Sequence, residues 1–238
     1  MPSKKPPRWQ ELWRRAQHPA CVAAVAFVVA VVSLSLGVDR PTTDAFHEYM
    51  RPYDPLLQIL TILGDGRFLI PACLVVAAAR AALARARASR QRAAKLPLLA
   101  LGSLLASGIL TQLLKISIGR PRPYTEGDTR YSSADLNIFH WFTTNKDFSS
   151  FPSGHSTAVF AVAWFAILNT KSRGAQVAFF AGACVVALTR VALWKHYFAD
   201  TLAGAAIGIA VSELVAAAAG LSPRPATLSG PRPRTVLK

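Results

Sequence analysis

The sequence predicts an all-α protein: a six-span transmembrane helical bundle with an interfacial helix and an outward-facing active site. Three observations support this fold class. Hydrophobic residues make up 52% of the 238 residues, which is high for a soluble domain. Apolar runs long enough to cross a hydrocarbon core of about 30 Å recur along the chain. The formal charge is +15, and most of the basic residues lie between those runs.

Six apolar runs give the predicted spans. The first, 20–38, is long for a signal peptide and is therefore interpreted as an uncleaved span. The others cover, in order, 64–83, 96–118, 153–168, 175–193 and 198–219. Between the first two spans, leucines recur at helical spacing, which predicts the interfacial helix; they are Leu56, Leu57, Leu60 and Leu63.

The spans divide the chain into three regions. Residues 1–19 form a basic segment, in which Trp9, Leu12 and Trp13 share one helical face and suggest a short helix at the membrane surface. Residues 20–220 form the membrane domain. Residues 221–238 are rich in Pro, Arg and Ser, a composition that predicts a disordered tail.

The distribution of charge predicts the orientation. Most of the 27 Lys and Arg residues lie in the two termini and in the loops that share their side of the membrane. The positive-inside rule then places both termini in the cytoplasm. This distribution fits anionic lipid headgroups better than nucleic acid, so no nucleic-acid partner is expected. The opposite face would lie toward the periplasm or the cell exterior.

Small residues within the spans predict close helix packing. Ser103 and Ser107 give the third span a small face, and Gly204 and Gly208 form a GxxxG pattern in the sixth. In a protein with several spans, this pattern favours contacts within the bundle over a dimer seam. The oligomeric state stays open. The cysteines, at positions 21, 73 and 184, lie in apolar runs without ligand spacing, which indicates packing residues.

The chain is organised around the stretch Phe151–Ser156, where a polar loop meets an apolar run. Pro152 and Ser153 are typical helix-start residues. A helix start presents unpaired N–H groups and a positive dipole end, which together bind anions. Gly154 allows a ligand to approach the backbone, and His155 could exchange a proton with it. The alternative is a simple Pro-Ser cap with an incidental histidine.

Two further stretches fall on the same face and favour the functional interpretation. Lys115 and Arg122 end the third span, and Arg190 ends the fifth, so three cations could bind one phosphate. His196 and Asp200 are four residues apart, on one helical face if the sixth span begins early. A carboxylate there would hold one imidazole nitrogen protonated and leave the other free to attack.

These three stretches resemble the signature of the type 2 phosphatidic acid phosphatase family, which shares its site with the vanadium haloperoxidases. The matching residues are Lys115-x6-Arg122-Pro123, then Pro152-Ser153-Gly154-His155, then Arg190-x5-His196-x3-Asp200. The family usually has Ser before the last arginine, and Thr189 keeps the hydroxyl. Arg120-Pro121 is a second Arg-Pro pair, but only Arg122 fits the family spacing.

The resemblance implies a role for each matching residue. His196 is the nucleophile that forms a phosphohistidine, Asp200 orients it, and His155 is the general acid. The phosphoryl group is bound by Lys115, Arg122, Ser153, Gly154 and Arg190. No metal and no cofactor are implied. The remaining histidines, His18, His47 and His140, have no carboxylate or Cys at ligand spacing, and His140 is expected to be a loop or headgroup contact.

The predicted function is therefore hydrolysis of a membrane lipid phosphate at the outer leaflet, by a multi-pass enzyme of a bacterial inner membrane. Four substrates remain open: lipid A phosphate, undecaprenyl pyrophosphate, phosphatidylglycerol phosphate and phosphatidic acid. One alternative is a vanadium haloperoxidase, although those relatives are soluble. Another is a non-catalytic transporter or lipid-binding protein, although transporters typically have polar or broken helices at mid-membrane.

Overall fold

The computed structural model describes residues 19–84, 87–125, 128–132, 138–170 and 172–220. The predicted surface helix around Trp9 and the predicted disordered tail lie outside these residues. Within them there are eight α-helices and no strand. The helices are α1 Pro19–Ser35, α2 Asp39–Met50, α3 Asp54–Thr61, α4 Gly66–Leu83, α5 Arg87–Ile118, α6 Gly154–Asn169, α7 Arg173–Ala192 and α8 Phe198–Ala218.

The predicted helical membrane class is confirmed. The helices α4, α5, α7 and α8 are each long and apolar enough to cross a membrane. The α1 helix qualifies as a fifth span only together with the helical segment that follows it, from which it is bent by 100°. The α6 helix is apolar but has only 16 residues. The six predicted spans thus correspond to six apolar helices, of which four are by themselves long and apolar enough to cross a membrane.

Two boundaries differ from the sequence prediction. The interfacial segment is two helices, α2 and α3, separated by a 3-10 turn at Arg51–Tyr53. Pro52 and Pro55 lack the N–H that a continuous helix needs, which explains the break. The third span was predicted to begin at residue 96, but α5 begins at Arg87 and includes the basic segment 87–95. Its Arg, Ala, Gln and Lys residues are good helix formers, so the helix extends beyond the apolar run.

The α6 and α8 helices lie against each other at the centre of the bundle, where α1 packs on α8 and both α5 and α7 pack on α6. The central core contains Phe160, Trp164, Val186 and Ile209. Polar side chains join the central helices as well. Thr111 of α5 donates to Thr157 of α6 at 3.1 Å, and Ser212 of α8 donates to the carbonyl oxygen of Ala161 at 2.8 Å.

Both predicted small-residue faces are buried in helix contacts. Ser103 and Ser107 have no exposed surface. A Cβ atom at Gly204 would lie 2.5 Å from the carbonyl oxygen of Ser153, and one at Gly208 would lie 2.5 Å from that of Thr157. The GxxxG pattern therefore packs within the bundle, as predicted. Glycine at these positions lets the backbones of α6 and α8 approach closely.

This packing brings the site elements to one end of the bundle. The C-terminal ends of α5 and α7 lie there, together with the N-terminal ends of α6 and α8 and the turn between α3 and α4. The three motif stretches of the sequence therefore meet in space.

We expect Gly208→Ala to destabilise the protein by about 1–3 kcal/mol, the usual cost of overpacking. The added methyl group would meet backbone atoms of Thr157 and Ala161, which cannot move independently of α6. Gly182→Ala in α7 is the matched control, because nothing lies within 4 Å of a Cβ atom there. Thermal unfolding in detergent measures both variants. Equal melting temperatures for the two variants would contradict the packing interpretation.

Candidate active site

Ser153 caps the N-terminal end of α6. Its side-chain oxygen accepts from the N–H of Ser156 at 3.5 Å, and its backbone N–H donates to the carbonyl oxygen of Asp200 at 2.9 Å. The expectation that the Ser153 N–H binds phosphate therefore needs correction, because that donor is already used. Gly154 and His155, the first two helical residues, carry N–H groups that the helix itself cannot pair. These two groups remain suited to an anion.

Lys115 lies in the last turn of α5 and is only 8% exposed. Its ammonium group donates to the carbonyl oxygen of Ser149 and, at 3.4 Å, to that of Ser150. A Cβ atom at Gly154 would lie 3.9 Å from Cε of Lys115. The lysine thus lies beside the start of α6, as the sequence predicted.

Arg122 is held by the polar loop that precedes α6. Its Nε donates to the carbonyl oxygen of Lys146 at 3.0 Å, and its Nη2 donates to Oγ of Ser149 at 3.2 Å. Its backbone N–H also donates to the carbonyl oxygen of Asp147 at 2.9 Å. Because Ser149 contacts both Lys115 and Arg122, the two cations are close to each other.

Arg190 lies in the last turn of α7, and its Nη1 donates to Oγ1 of Thr61 at 2.9 Å. Its Nε is buried and has no hydrogen-bond partner among the described atoms. A buried donor of this kind is costly unless an acceptor reaches it. The guanidinium group is therefore well suited to a phosphate oxygen. The residue before it, Thr189, uses its hydroxyl to bond the carbonyl oxygen of Val186 at 2.6 Å.

The turn between α3 and α4 closes over His155. A Cβ atom at Gly64 would lie 3.3 Å from Cβ of His155 and 2.6 Å from Cγ1 of Val186, so only glycine fits there. The next residue, Asp65, caps α4 by accepting from the N–H of Arg67 at 2.8 Å. The Arg67 side chain lowers the pKa of Asp65, and His155 is among the charges that act on this carboxylate. The sequence indicated a helix break at residues 64–67 but gave no sign that this turn lies at the site.

His196 and Asp200 meet in a different way from the predicted one. The α8 helix begins at Phe198, so His196 precedes it and the two residues do not share a helical face. Asp200 instead turns back across the helix start, and its Oδ2 accepts from the N–H of Tyr197 at 3.0 Å. This places Oδ2 at 3.5 Å from Nδ1 of His196. The distance is long for a hydrogen bond, as is common in catalytic pairs without substrate.

The environment of His196 favours a neutral ring. Burial holds the pKa of His196 well below its usual range, and the nearby cations Lys115 and Arg122 act in the same direction. Since Nδ1 faces a carboxylate, the proton belongs on Nδ1, which leaves the lone pair of Nε2 free. A neutral imidazole with a free Nε2 is the form that a histidine nucleophile needs.

The turn that carries His196 is supported by α2. Trp194 has φ of 56°, and its indole N–H donates to Asp44 at 2.8 Å. Its ring stacks on His47 with centroids 5.1 Å apart. Nδ1 of His47 lies 2.6 Å from the carbonyl oxygen of Ala192. His47 is thus a support of the catalytic turn, a role that ligand spacing alone did not reveal.

The predicted loop contact of His140 is observed. Its ring stacks on Phe148 with centroids 3.8 Å apart, and its backbone N–H donates to the carbonyl oxygen of Gly119 at 2.9 Å. Gly119 has φ of 61°, and a Cβ atom there would lie 1.8 Å from the carbonyl oxygen of His140. Glycine is therefore required where the chain leaves α5.

Three residues absent from the predicted site bind Asp200 or its neighbours. Arg120 donates to Oδ1 of Asp200 at 2.6 Å and to Oδ2 of Asp39 at 2.8 Å. Ser150 donates to Oδ2 of Asp200. The second Arg-Pro pair in the sequence was a signal for Arg120. The sequence contains no signal for Asp39 or Ser150, because each binds a residue that is distant in sequence.

The described residues contain no group of three or more His, Cys, Asp or Glu side chains that could hold a metal ion. The donors that face the start of α6 are Lys and Arg side chains, which have no lone pair to offer a metal. They are suited to bind the oxygens of a phosphoryl group directly.

Comparisons with known proteins agree with this arrangement. The PAP2 superfamily model matches residues 96–223. The chain is 37% identical over 216 residues to a lipid A 1-phosphatase from Rhizobium johnstonii, covering 86% of this chain and 84% of the relative. It is 43% identical over 103 residues to a lipid A 1-phosphatase from Rhizobium etli, covering 43% of this chain and 41% of that protein.

Two solved structures share the fold. The PAP2-type phosphatidylglycerolphosphate phosphatase from Bacillus subtilis superposes with a TM-score of 0.63 at 22% identity, covering 87% of this chain and 98% of that one. LpxE from Aquifex aeolicus superposes with a TM-score of 0.51 at 18% identity, covering 75% of this chain and 94% of that one. At these identities the likeness concerns the fold.

The fold and the site together define a helical membrane phosphatase. The chain belongs to the PAP2 superfamily. Within that family it is a membrane lipid phosphatase, as its relatives are. The predictions of family, fold class and general activity are thereby confirmed, and the haloperoxidase and non-catalytic alternatives are not favoured.

The two histidines should respond differently to the leaving group. If His196 is the nucleophile that the sequence predicts, His196→Ala should abolish turnover of every substrate, because no phosphoenzyme could then form. His155→Ala should lose about 10²- to 10⁴-fold on a lipid phosphomonoester, whose leaving alkoxide needs a proton. It should lose much less on an activated aryl phosphate, whose leaving group is stable without one. The measurement is kcat/KM of both variants on both substrates, after the folding of each is checked.

Equal losses for His155→Ala on the two substrates would show that His155 only positions the phosphate. Residual turnover by His196→Ala would remove its role as the nucleophile.

Proposed function

We propose that the protein removes the 1-phosphate of lipid A through a phosphohistidine intermediate at the outer leaflet of a bacterial inner membrane. One observation supports this substrate among the four open ones: the 37% identity to a lipid A 1-phosphatase, which extends over 84% of that protein. The match covers the membrane domain rather than the three motifs alone. Because the match extends over 216 residues, identical residues outside the three motifs are shared too.

Substrate binding uses the cations at the start of α6. Lys115, Arg122 and Arg190 neutralise the phosphoryl oxygens, and the N–H groups of Gly154 and His155 add donors at the positive end of the helix. The buried Nε of Arg190 gains an acceptor in the complex. Ser153 contributes by capping α6 and so fixes the direction of these N–H groups.

In the first chemical step, Nε2 of His196 attacks phosphorus and the bond between phosphorus and the lipid oxygen breaks. His155, in its protonated form, gives its proton to that leaving oxygen, and the dephosphorylated lipid departs as an alcohol. Asp200 accepts the Nδ1 proton of His196 in a hydrogen bond and stabilises the positive charge that the ring acquires. The cations stabilise the phosphoryl oxygens throughout.

In the second step, water attacks the phosphohistidine. His155 now acts as a base and takes a proton from the water, since the same group must serve in the reverse sense. The bond between phosphorus and Nε2 breaks, inorganic phosphate leaves, and His196 returns to its neutral form. No step requires a metal ion.

A panel of substrates tests the proposal. Purified protein in a metal chelator would be given lipid A, undecaprenyl pyrophosphate, phosphatidylglycerol phosphate and phosphatidic acid, with His196→Ala as the matched control. We expect phosphate release from lipid A with the highest kcat/KM. Mass spectrometry of the product lipid should show the loss of one phosphate group, from position 1. A higher kcat/KM on another lipid would make that lipid the preferred substrate in place of lipid A. Activity that needs an added divalent ion would contradict the mechanism.

The orientation can be tested by cysteine labelling. In a variant without Cys21, Cys73 and Cys184, a single cysteine would be placed either at Thr144, exposed in the loop before α6, or at Gln91, exposed near the start of α5. An impermeant maleimide should label Thr144→Cys in intact spheroplasts and label Gln91→Cys only after lysis. The positive-inside rule predicts this result, because it places the basic start of α5 in the cytoplasm and the loop before α6 on the outer side. The reverse order would place the site on the cytoplasmic side.

A further inference from the structure

Arg120 lies behind the catalytic pair, on the side of Asp200 away from His196. Its two terminal nitrogens bind two carboxylates at 2.6 and 2.8 Å, those of Asp200 and Asp39. All three side chains are buried, with exposed fractions of 9% for Arg120, 4% for Asp39 and 0% for Asp200. Its guanidinium carbon also lies 3.9 Å from the centre of the Tyr197 ring.

These contacts separate Arg120 from the cations that face the phosphate. Both of its terminal nitrogens are engaged with carboxylates, and the Tyr197 ring covers one face of its guanidinium plane. Arg122, two residues later, is instead held by a hydroxyl and by backbone carbonyl oxygens, and no carboxylate pairs with it among the described residues. The two Arg-Pro pairs of the sequence thus have different partners.

We propose that Arg120, held in place by Asp39, is a positioning residue for the nucleophile of the proposed phosphohistidine reaction. By taking Oδ1 of Asp200, it fixes the rotation of that carboxylate. The other oxygen, Oδ2, then accepts from Ser150 and from the N–H of Tyr197 and faces Nδ1 of His196. Loss of Arg120 would free the carboxylate to turn away from the imidazole.

Asp39 also fixes the place of Asp200 in the fold. Its Oδ1 accepts from the N–H of Ala199 at 2.9 Å, one residue before Asp200. Thr43, one turn further along α2, accepts from the N–H of Phe198 at 3.3 Å. The first turn of α8 is therefore bound to α2 through two of its otherwise unpaired N–H groups.

The charges of this cluster also suit the reaction. One arginine between two ionised carboxylates leaves a net charge of about −1 beside His196. The imidazole becomes positively charged when Nε2 binds phosphorus, so the cluster and the phosphorylated ring neutralise each other. Without the arginine, two carboxylates would share a buried region, which is costly.

The test uses Arg120→Lys and Asp39→Asn. Lysine keeps the charge and avoids leaving two buried carboxylates without a cation, but it cannot reproduce the planar fork that bridges them. Asn keeps the shape of Asp39 but removes its charge. Arg130→Gln is the matched control, because Arg130 also bridges two carboxylates, Asp128 and Asp147, at an exposed site.

We expect Arg120→Lys to lower kcat by about 10- to 100-fold, the usual effect of losing a partner that orients a reacting group. KM and competitive inhibition by inorganic phosphate should stay unchanged, because the cations proposed to bind phosphate are intact. The loss should be equal on a lipid phosphate and on an aryl phosphate, since attack by His196 is common to both. Asp39→Asn should show a smaller loss of the same kind, and Arg130→Gln should show none.

Three results would overturn the proposal. An unchanged kcat in a folded Arg120→Lys protein would show that the bridge does not matter. Weaker inhibition by inorganic phosphate with unchanged kcat would make Arg120 a phosphate ligand. A lower melting temperature with unchanged kcat per folded molecule would make its role structural only. If Arg120→Lys does not fold, an unchanged kcat in Asp39→Asn overturns the proposal.

A His196→Ala arm separates this proposal from the proposed function. Turnover retained in that variant would remove the phosphohistidine mechanism itself. Turnover lost in His196→Ala but unaltered in Arg120→Lys would overturn only the positioning role. A preference for a lipid other than lipid A would change the substrate, and the comparison of variants would be made on that lipid.

Discussion

One buried carboxylate, that of Asp200, connects the parts of the site. Its two oxygens accept from Arg120, Ser150 and the N–H of Tyr197, and its backbone carbonyl oxygen accepts from the N–H of Ser153. A buried ionised group costs several kcal/mol unless it is paired and hydrogen-bonded. The segment after α5, the start of α6 and the start of α8 must therefore come together to satisfy it. The position of the phosphate-binding N–H groups follows from this constraint.

Close contact between α6 and α8 makes that arrangement possible. In a lipid environment the hydrophobic effect does not drive helices together, so association depends on van der Waals packing and on hydrogen bonds between helices. Gly204 and Gly208 allow the approach, and Ser212 adds a hydrogen bond to Ala161 farther along the same interface. The same small residues that stabilise the bundle thus place Ser153 within reach of Asp200.

The charges of the site are separated by function. Lys115, Arg122 and Arg190 face the start of α6, whereas the carboxylates of Asp39 and Asp200 lie behind His196 with Arg120 between them. Burial and the nearby cations both lower the pKa of His196, which favours a neutral ring beside them. In the proposed mechanism the phosphoryl group meets positive charge, and the imidazole ring that becomes phosphorylated meets negative charge.

The sequence by itself determined the helical membrane class, the three motifs and their placement on one face, because apolar runs and helix-start residues are local properties. It also favoured packing of the GxxxG pattern within the bundle, which the contacts of Gly204 and Gly208 then showed. Only the tertiary structure decided that His196 precedes a helix that starts at Phe198, with Asp200 in the first turn of that helix. It alone showed that the N–H of Ser153 donates to the carbonyl oxygen of Asp200. It alone paired Arg120 with Asp39 and Arg190 with Thr61, partners 81 and 129 residues apart in sequence. Periodicity shows which face of a helix is buried, but the partner across that face depends on how the helices pack and on which buried charges need each other.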